Sequence, residues 1–182
     1  MRATRISLLL LSSFALSFAL TSAIAEDSVE FKIKAGFLYK FPQFVDWPPE
    51  AFGGAKAPLI IGVLGDDPFG DVLDKTVRDR EVEGRKVVVR RYKSAQSARE
   101  AHVLYIGLSG EQLASSIKAL EGAPVLTVGE NSAFNKDGGA VRFVVRDDRV
   151  AFNINPEAAK RAGLKIRAQL LKLARIVDDQ GE

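Results

Sequence analysis

Apolar positions change their spacing several times along the chain, and each change marks an element. Residues 6–20 are apolar apart from scattered serines, a run of about 15 that falls short of the ~20 needed to cross a bilayer. Arg2 and Arg5 precede it and Ala23-Ile24-Ala25 follows it, so residues 1–25 read as a secretory signal cleaved after Ala25. Residues 26–182 then form one domain. Ser28 is placed to cap a helix whose apolar residues Ile33, Phe37, Phe41 and Phe44–Val45 fall near a helical period. Pro42 kinks or ends that helix, and Trp47-Pro48-Pro49 stops it.

From Pro58 the pattern becomes short apolar runs separated by polar helical stretches. Pro58–Gly65 is almost wholly apolar and reads as a parallel strand buried on both faces. Asp67-Pro68 suits the cap and first turn of a helix running to Val77. Arg85–Tyr92, with charged ends around three valines, reads as a strand near the sheet edge. Ser94–Arg99 is a helical turn, His102–Leu108 a third strand, Glu111–Leu120 a helix capped by Ser109, and Pro124–Val128 a fourth strand. Asn131–Gly139 is a loop. Ala140–Arg146 and Arg149–Asn155 alternate about Asp147-Asp148 and read as an antiparallel hairpin. Asn155-Pro156 opens a short helix that Gly163 closes. A final helix is expected over Lys165–Val177, with Ile166, Leu170, Leu173 and Val177 on one stripe. The expected fold is α/β: one three-layer α/β/α domain with a mixed sheet, a C-terminal hairpin and a terminal helix.

Composition narrows the function. The formal charge of +3 includes Arg2 and Arg5, so the chain after Ala25 stands at +1. That is too small an excess to argue for a nucleic-acid partner. There is no cysteine. Cysteine nucleophiles, thiol redox work, lipid attachment through Cys, Cys-type zinc sites and disulfides are excluded. A single histidine, His102, leaves a Ser-His-Asp triad or a multi-histidine metal site one position to use. No GxSxG, GxGxxG or GKS/T motif accompanies it. No catalytic set, metal site or cofactor is expected, and the chain reads as a non-enzyme.

The candidate contacts fall into five groups. Phe37, Tyr39, Phe44 and Trp47 belong to an aromatic run too dense for one helix to hide on every side. Part of it packs in the core, and part meets a partner or covers the sheet edge. Asp66 and Phe69 lie in the loop after the first strand, where open α/β sheets place ligands. Asp66 and Asp67 there repel a phosphate; the pair reads as a cap plus an exposed carboxylate, or as a divalent-ion site. Asn153 binds a ligand or satisfies a buried backbone group. His102 is a hydrogen-bonded structural residue or a general base. The basic residues Lys160, Arg161, Lys165, Arg167, Lys172 and Arg175 form a solvated face or meet an anionic membrane surface.

Several segments in this order resemble the YfiR family of periplasmic proteins. They are Lys34–Phe41 with Phe44-Val45-Asp46-Trp47-Pro48, Ile61–Phe69, His102–Ile106, Pro124–Gly129, Phe152-Asn153-Ile154-Asn155, Arg161–Ile166 and Leu170–Ala174. The resemblance implies a periplasmic, non-enzymatic, often dimeric α/β protein. Its partner is then the periplasmic sensing domain of an inner-membrane signalling protein, a GGDEF-type diguanylate cyclase or a sensor kinase. Repression of the cyclase would lower cyclic di-GMP and control biofilm formation. An outer-membrane lipoprotein relieves the repression in the best-known member, and other members accompany sensor kinases or outer-membrane receptors. Family members commonly carry a Cys just before the histidine of the third strand; Ala101 stands there in this chain, which removes disulfide control. A periplasmic small-molecule binding module is the alternative reading.

Overall fold

The apolar run after Pro58 becomes β2 (Leu59–Gly65), the centre of the molecule. The computed structural model describes residues 29–180. The expected secretory signal and the Ser28 cap lie outside that range. β2 pairs in parallel with β4 (Arg85–Tyr92) on one side and β5 (Val103–Gly107) on the other. β5, β6 (Leu126–Gly129) and β7 (Val141–Arg146) continue in parallel. β8 (Arg149–Ile154) returns antiparallel to β7 through Asp147 and Asp148, which both take positive φ as a two-residue hairpin turn requires. Two-residue strands finish the edges, β3 (Glu81–Val82) on β4 and β10 (Arg175–Ile176) on β8. The mixed sheet has the order β10-β8-β7-β6-β5-β2-β4-β3.

Period-two alternation then divides the side chains of β2 between two cores. Ile61 and Val63 face α1 (residues 29–40) and α2 (Asp71–Val77), meeting a core that includes Leu38 and Leu73. Ile60 and Leu64 face α3 (Gly110–Ala119), meeting Leu113 and Ile117. The three layers follow from this division.

The helix expected over Lys165–Val177 does not form. Lys165–Ile166 is a strand, β9, paired antiparallel with β1 (Val45–Asp46). Ala168–Leu171 is a single helical turn, α5. The backbone N–H of Arg167 donates to Phe44 O at 2.9 Å, and that of Val177 to Ile154 O at 2.9 Å. Both ends of the segment are thus tied to extended backbone elsewhere, and tertiary pairing overrides helical spacing. Ile166 and Leu170 are buried as the stripe requires, but Leu173 is 70% exposed.

Asp67 does cap, but caps a turn rather than the helix. Its Oδ1 accepts from the N–H groups of Phe69 and Gly70, and α2 starts later, after Gly70. The Asn155-Pro156 signal holds: Asn155 Oδ1 accepts from Ala158 N–H at 3.1 Å at the start of α4 (Pro156–Arg161).

Candidate functional site

Pro42 ends α1 as expected, and the chain continues through a 3₁₀ turn over Phe41–Phe44 into β1. That turn brings Phe37 and Phe41 against Phe152 at centroid distances of 5.3 and 5.2 Å, with Phe143 close to both. Phe41, Phe143 and Phe152 are buried, while Phe37, Tyr39 and Phe44 keep one side open. The open sides line a groove of about 560 Å³ between α1 and the α5 turn. Ile33 and Leu173 stand on its walls, 45% and 70% exposed. Lys40 and Arg80 are its charged lining residues, and neither pairs with a carboxylate among the described residues. The surface is apolar with a basic margin. It suits a macromolecular contact, and no nucleophile and base meet there.

A second concavity lies at the carboxyl ends of the strands. The chain turns to opposite sides of β2 at β4 and β5, which makes the β2/β5 gap the switch point of the sheet. Asp66, Pro68, Ser109 and Glu130 line a crevice of about 380 Å³ there. Its floor is tight: a Cβ on Gly107 would sit 2.1 Å from Asp66 O, so the two loops meet at bare backbone. Behind Glu130 is a buried charge cluster. Lys34, only 2% exposed, donates to Glu30 and, at 2.6 Å, to Glu130, whose other oxygen accepts from the Tyr105 hydroxyl at 2.9 Å. Burial first, and the Glu130 charge second, push the Tyr105 phenol above its ordinary range. No three acidic or histidine side chains among the described residues converge as a metal site would require.

The remaining sequence candidates separate. Phe69 is core, edge-on to Phe31 and Tyr105. Asp66 lies at the switch-point crevice. Asn153 is 2% exposed and its Oδ1 accepts from Arg146, so its partner is a guanidinium rather than a backbone group. Trp47 lies away from the groove. Its indole N–H donates to Pro124 O at 3.0 Å, and its ring meets Phe52 and His102. His102 is buried, stacks on Phe52 at 4.3 Å and accepts the Ile60 N–H on Nδ1. Burial first, with the Arg85 charge, lowers its pKa to about 4 against the pull of the Ala51 carbonyl. It is neutral near pH 7 and serves the fold.

The groove therefore gathers Phe37, Tyr39 and Phe44, and it adds Ile33, Gly36, Lys40, Arg80 and Leu173, which the sequence did not mark as contact residues. One signal was available: Gly36 stands in the middle of a helix, where glycine costs about 1 kcal/mol relative to alanine. None of the described helices is long and apolar enough to cross a membrane. A family model described as YfiR/HmsC-like matches residues 31–175 of the 182.

Proposed function

The chain belongs to the YfiR/HmsC-like family, which is periplasmic and regulatory rather than catalytic, and from that premise we propose a specific role. In this reading, residues 1–25 are removed on export. The mature domain then binds the periplasmic sensing domain of an inner-membrane signalling protein and holds it inactive. A diguanylate cyclase is the partner best matched to the family, and its repression lowers cyclic di-GMP and biofilm formation. A sensor kinase is the other partner class, and an outer-membrane lipoprotein competes for the repressor. The observation that carries the reading is the groove, where Ile33 and Leu173 leave apolar area in water beside Phe37, Tyr39 and Phe44. Exposed apolar area of that kind marks contact surfaces in secreted domains.

Repression needs only differential affinity. If the mature domain prefers the inactive receptor by about 1.4 kcal/mol, it shifts the equilibrium tenfold. The test adds purified mature protein to envelope preparations of the native host and follows cyclic di-GMP synthesis. A dose-dependent fall, lost in Leu173→Asp, is expected; unchanged synthesis at saturating protein overturns the cyclase assignment. A small-molecule reading is supported by the switch-point crevice at Asp66 and Glu130. A thermal-shift screen tests it, because a ligand at 100 times its Kd adds about 2.7 kcal/mol.

A further inference from the structure

The groove has features that say what kind of segment fills it. Val29, Ile33, Gly36–Phe37 and Lys40 recur at the spacing of one helical stripe along α1. Val29 is 54% exposed, so the stripe continues beyond the groove. From Val29 to Lys40 it runs about 16 Å, roughly three turns. Gly36 is the informative position. Among the described residues nothing beyond its own chain neighbours and helix backbone lies within 4 Å of where its Cβ would be, and its φ is not in the left-handed region. Neither packing nor backbone geometry within the protein calls for glycine there, although it weakens the helix. A bare backbone patch in the middle of an apolar stripe lets a second backbone approach closely.

We infer that the groove receives an amphipathic α-helix of the partner, its apolar stripe flanked by carboxylates. This rests on the reading that the groove is the partner surface. A helix fits better than an extended segment, because the lining comes chiefly from side chains of α1, of α2 with Arg80 after it, and of the α5 turn with Leu173, and only Phe152 comes from a strand. An extended chain would bring unpaired N–H and C=O groups onto an apolar surface, whereas a helix satisfies its own. The flanking charge follows from Lys40 and Arg80, which have no carboxylate partner among the described residues. A second copy of this chain is disfavoured as occupant. Its α1 would bring exposed Lys32 and Lys40 to a basic margin, while Glu30 is engaged by Lys34.

The experiment places a photoreactive benzoylphenylalanine at Ile33, and separately at Ser115 on the exposed side of α3, in the full-length protein in its native host. Crosslinked peptides are sequenced by mass spectrometry. The Ile33 probe is expected to capture a segment with apolar residues at helical spacing and Asp or Glu beside them. A synthetic peptide of that segment should gain helical circular dichroism on binding the mature protein. Its affinity should fall at least tenfold in Gly36→Leu, which fills the bare patch while favouring the helix, and in Lys40→Glu/Arg80→Glu. Rescue of the double charge variant by the peptide carrying Lys in place of its acidic residues would fix the charge contact. Crosslinks from Ile33 to lipid, to a second copy, or to an extended or basic segment overturn the inference, as does unchanged affinity in Gly36→Leu. If Ile33 gives no crosslink while Ser115 captures a signalling receptor, the helix inference falls and the regulatory reading stands. An acidic helix captured from a protein with no signalling module supports the inference and overturns the regulatory reading.

Discussion

His102 is the chain's only histidine, and its burial makes the stability of the fold depend on pH in a way that can be isolated. Its folded pKa is lowered from 6.5 to about 4, chiefly by burial. Between those values the unfolded chain binds a proton that the folded chain does not. Stability therefore rises with pH through this window and falls on acidification. At pH 5.5 the folded imidazole is still neutral while most unfolded chains are protonated. The linkage relation gives a loss of about 1.2 kcal/mol between pH 7 and 5.5, growing to about 2 kcal/mol at pH 5. The perturbation is His102→Asn, whose side-chain oxygen can accept the Ile60 N–H as Nδ1 does but does not titrate. Urea unfolding, followed by the fluorescence of Trp47 beside the imidazole, reads the midpoint at both pH values. The variant should be less stable at pH 7, having lost the Phe52 stack, yet lose far less than the wild type on going to pH 5.5. Equal losses in both proteins would refute the reasoning.

Three other predictions concern separate parts of the molecule. Leu173→Asp should leave urea stability within about 0.5 kcal/mol, because the side chain is 70% exposed, while abolishing cyclase repression in the envelope assay. In the buried charge cluster the carboxylates of Glu30 and Glu130 are about one-third exposed but Lys34 is not. Glu130→Gln, which leaves the ammonium short of a counter-charge, should cost about 2–3 kcal/mol and Lys34→Met only about 1–2, as compared by chemical denaturation. Asn155→Ala removes the α4 cap and should lower stability by about 1 kcal/mol. It should also loosen Asp179, which Arg161 first and Asn155 second hold below the ordinary carboxylate range. Because that folded pKa is depressed, the contact is complete above about pH 4 and weakens as pH falls through the folded value. Hydrogen exchange near residues 175–179 at pH 7 and pH 3 checks the direction.

What could be read from the sequence was local in its cause. The unbroken apolar run of β2 identifies a strand buried on both faces, because no polar side chain interrupts either face. The hairpin and the Asn155 cap were legible for the same reason: turn and cap chemistry act within four residues. Lys34 was not legible. A lysine at that position reads as solvated until Glu130, 96 residues away, is known to lie against it. The aromatic run was only half legible. Its density signalled a contact surface, but which rings remain open depends on Phe143 and Phe152 arriving from the hairpin.

The largest misreading, the terminal helix, is also what creates the groove. On a continuous helix over Lys165–Val177, Leu173 would share the buried stripe of Leu170, and no apolar wall would face α1. The chain instead leaves the helix twice. Lys165–Ile166 is taken by β1, with Arg167 fixed to Phe44 O and to the Asp46 carboxylate, and Arg175–Ile176 is taken by the edge of β8. One helical turn remains between these ties, long enough to bury Leu170 but too short to carry Leu173 inward with it. The exposed leucine, opposite the bare backbone of Gly36, follows from two strand pairings more than 20 and 100 residues distant in sequence. A helical period read within the segment cannot contain that information, because the energy that decides its conformation lies in β1 and β8.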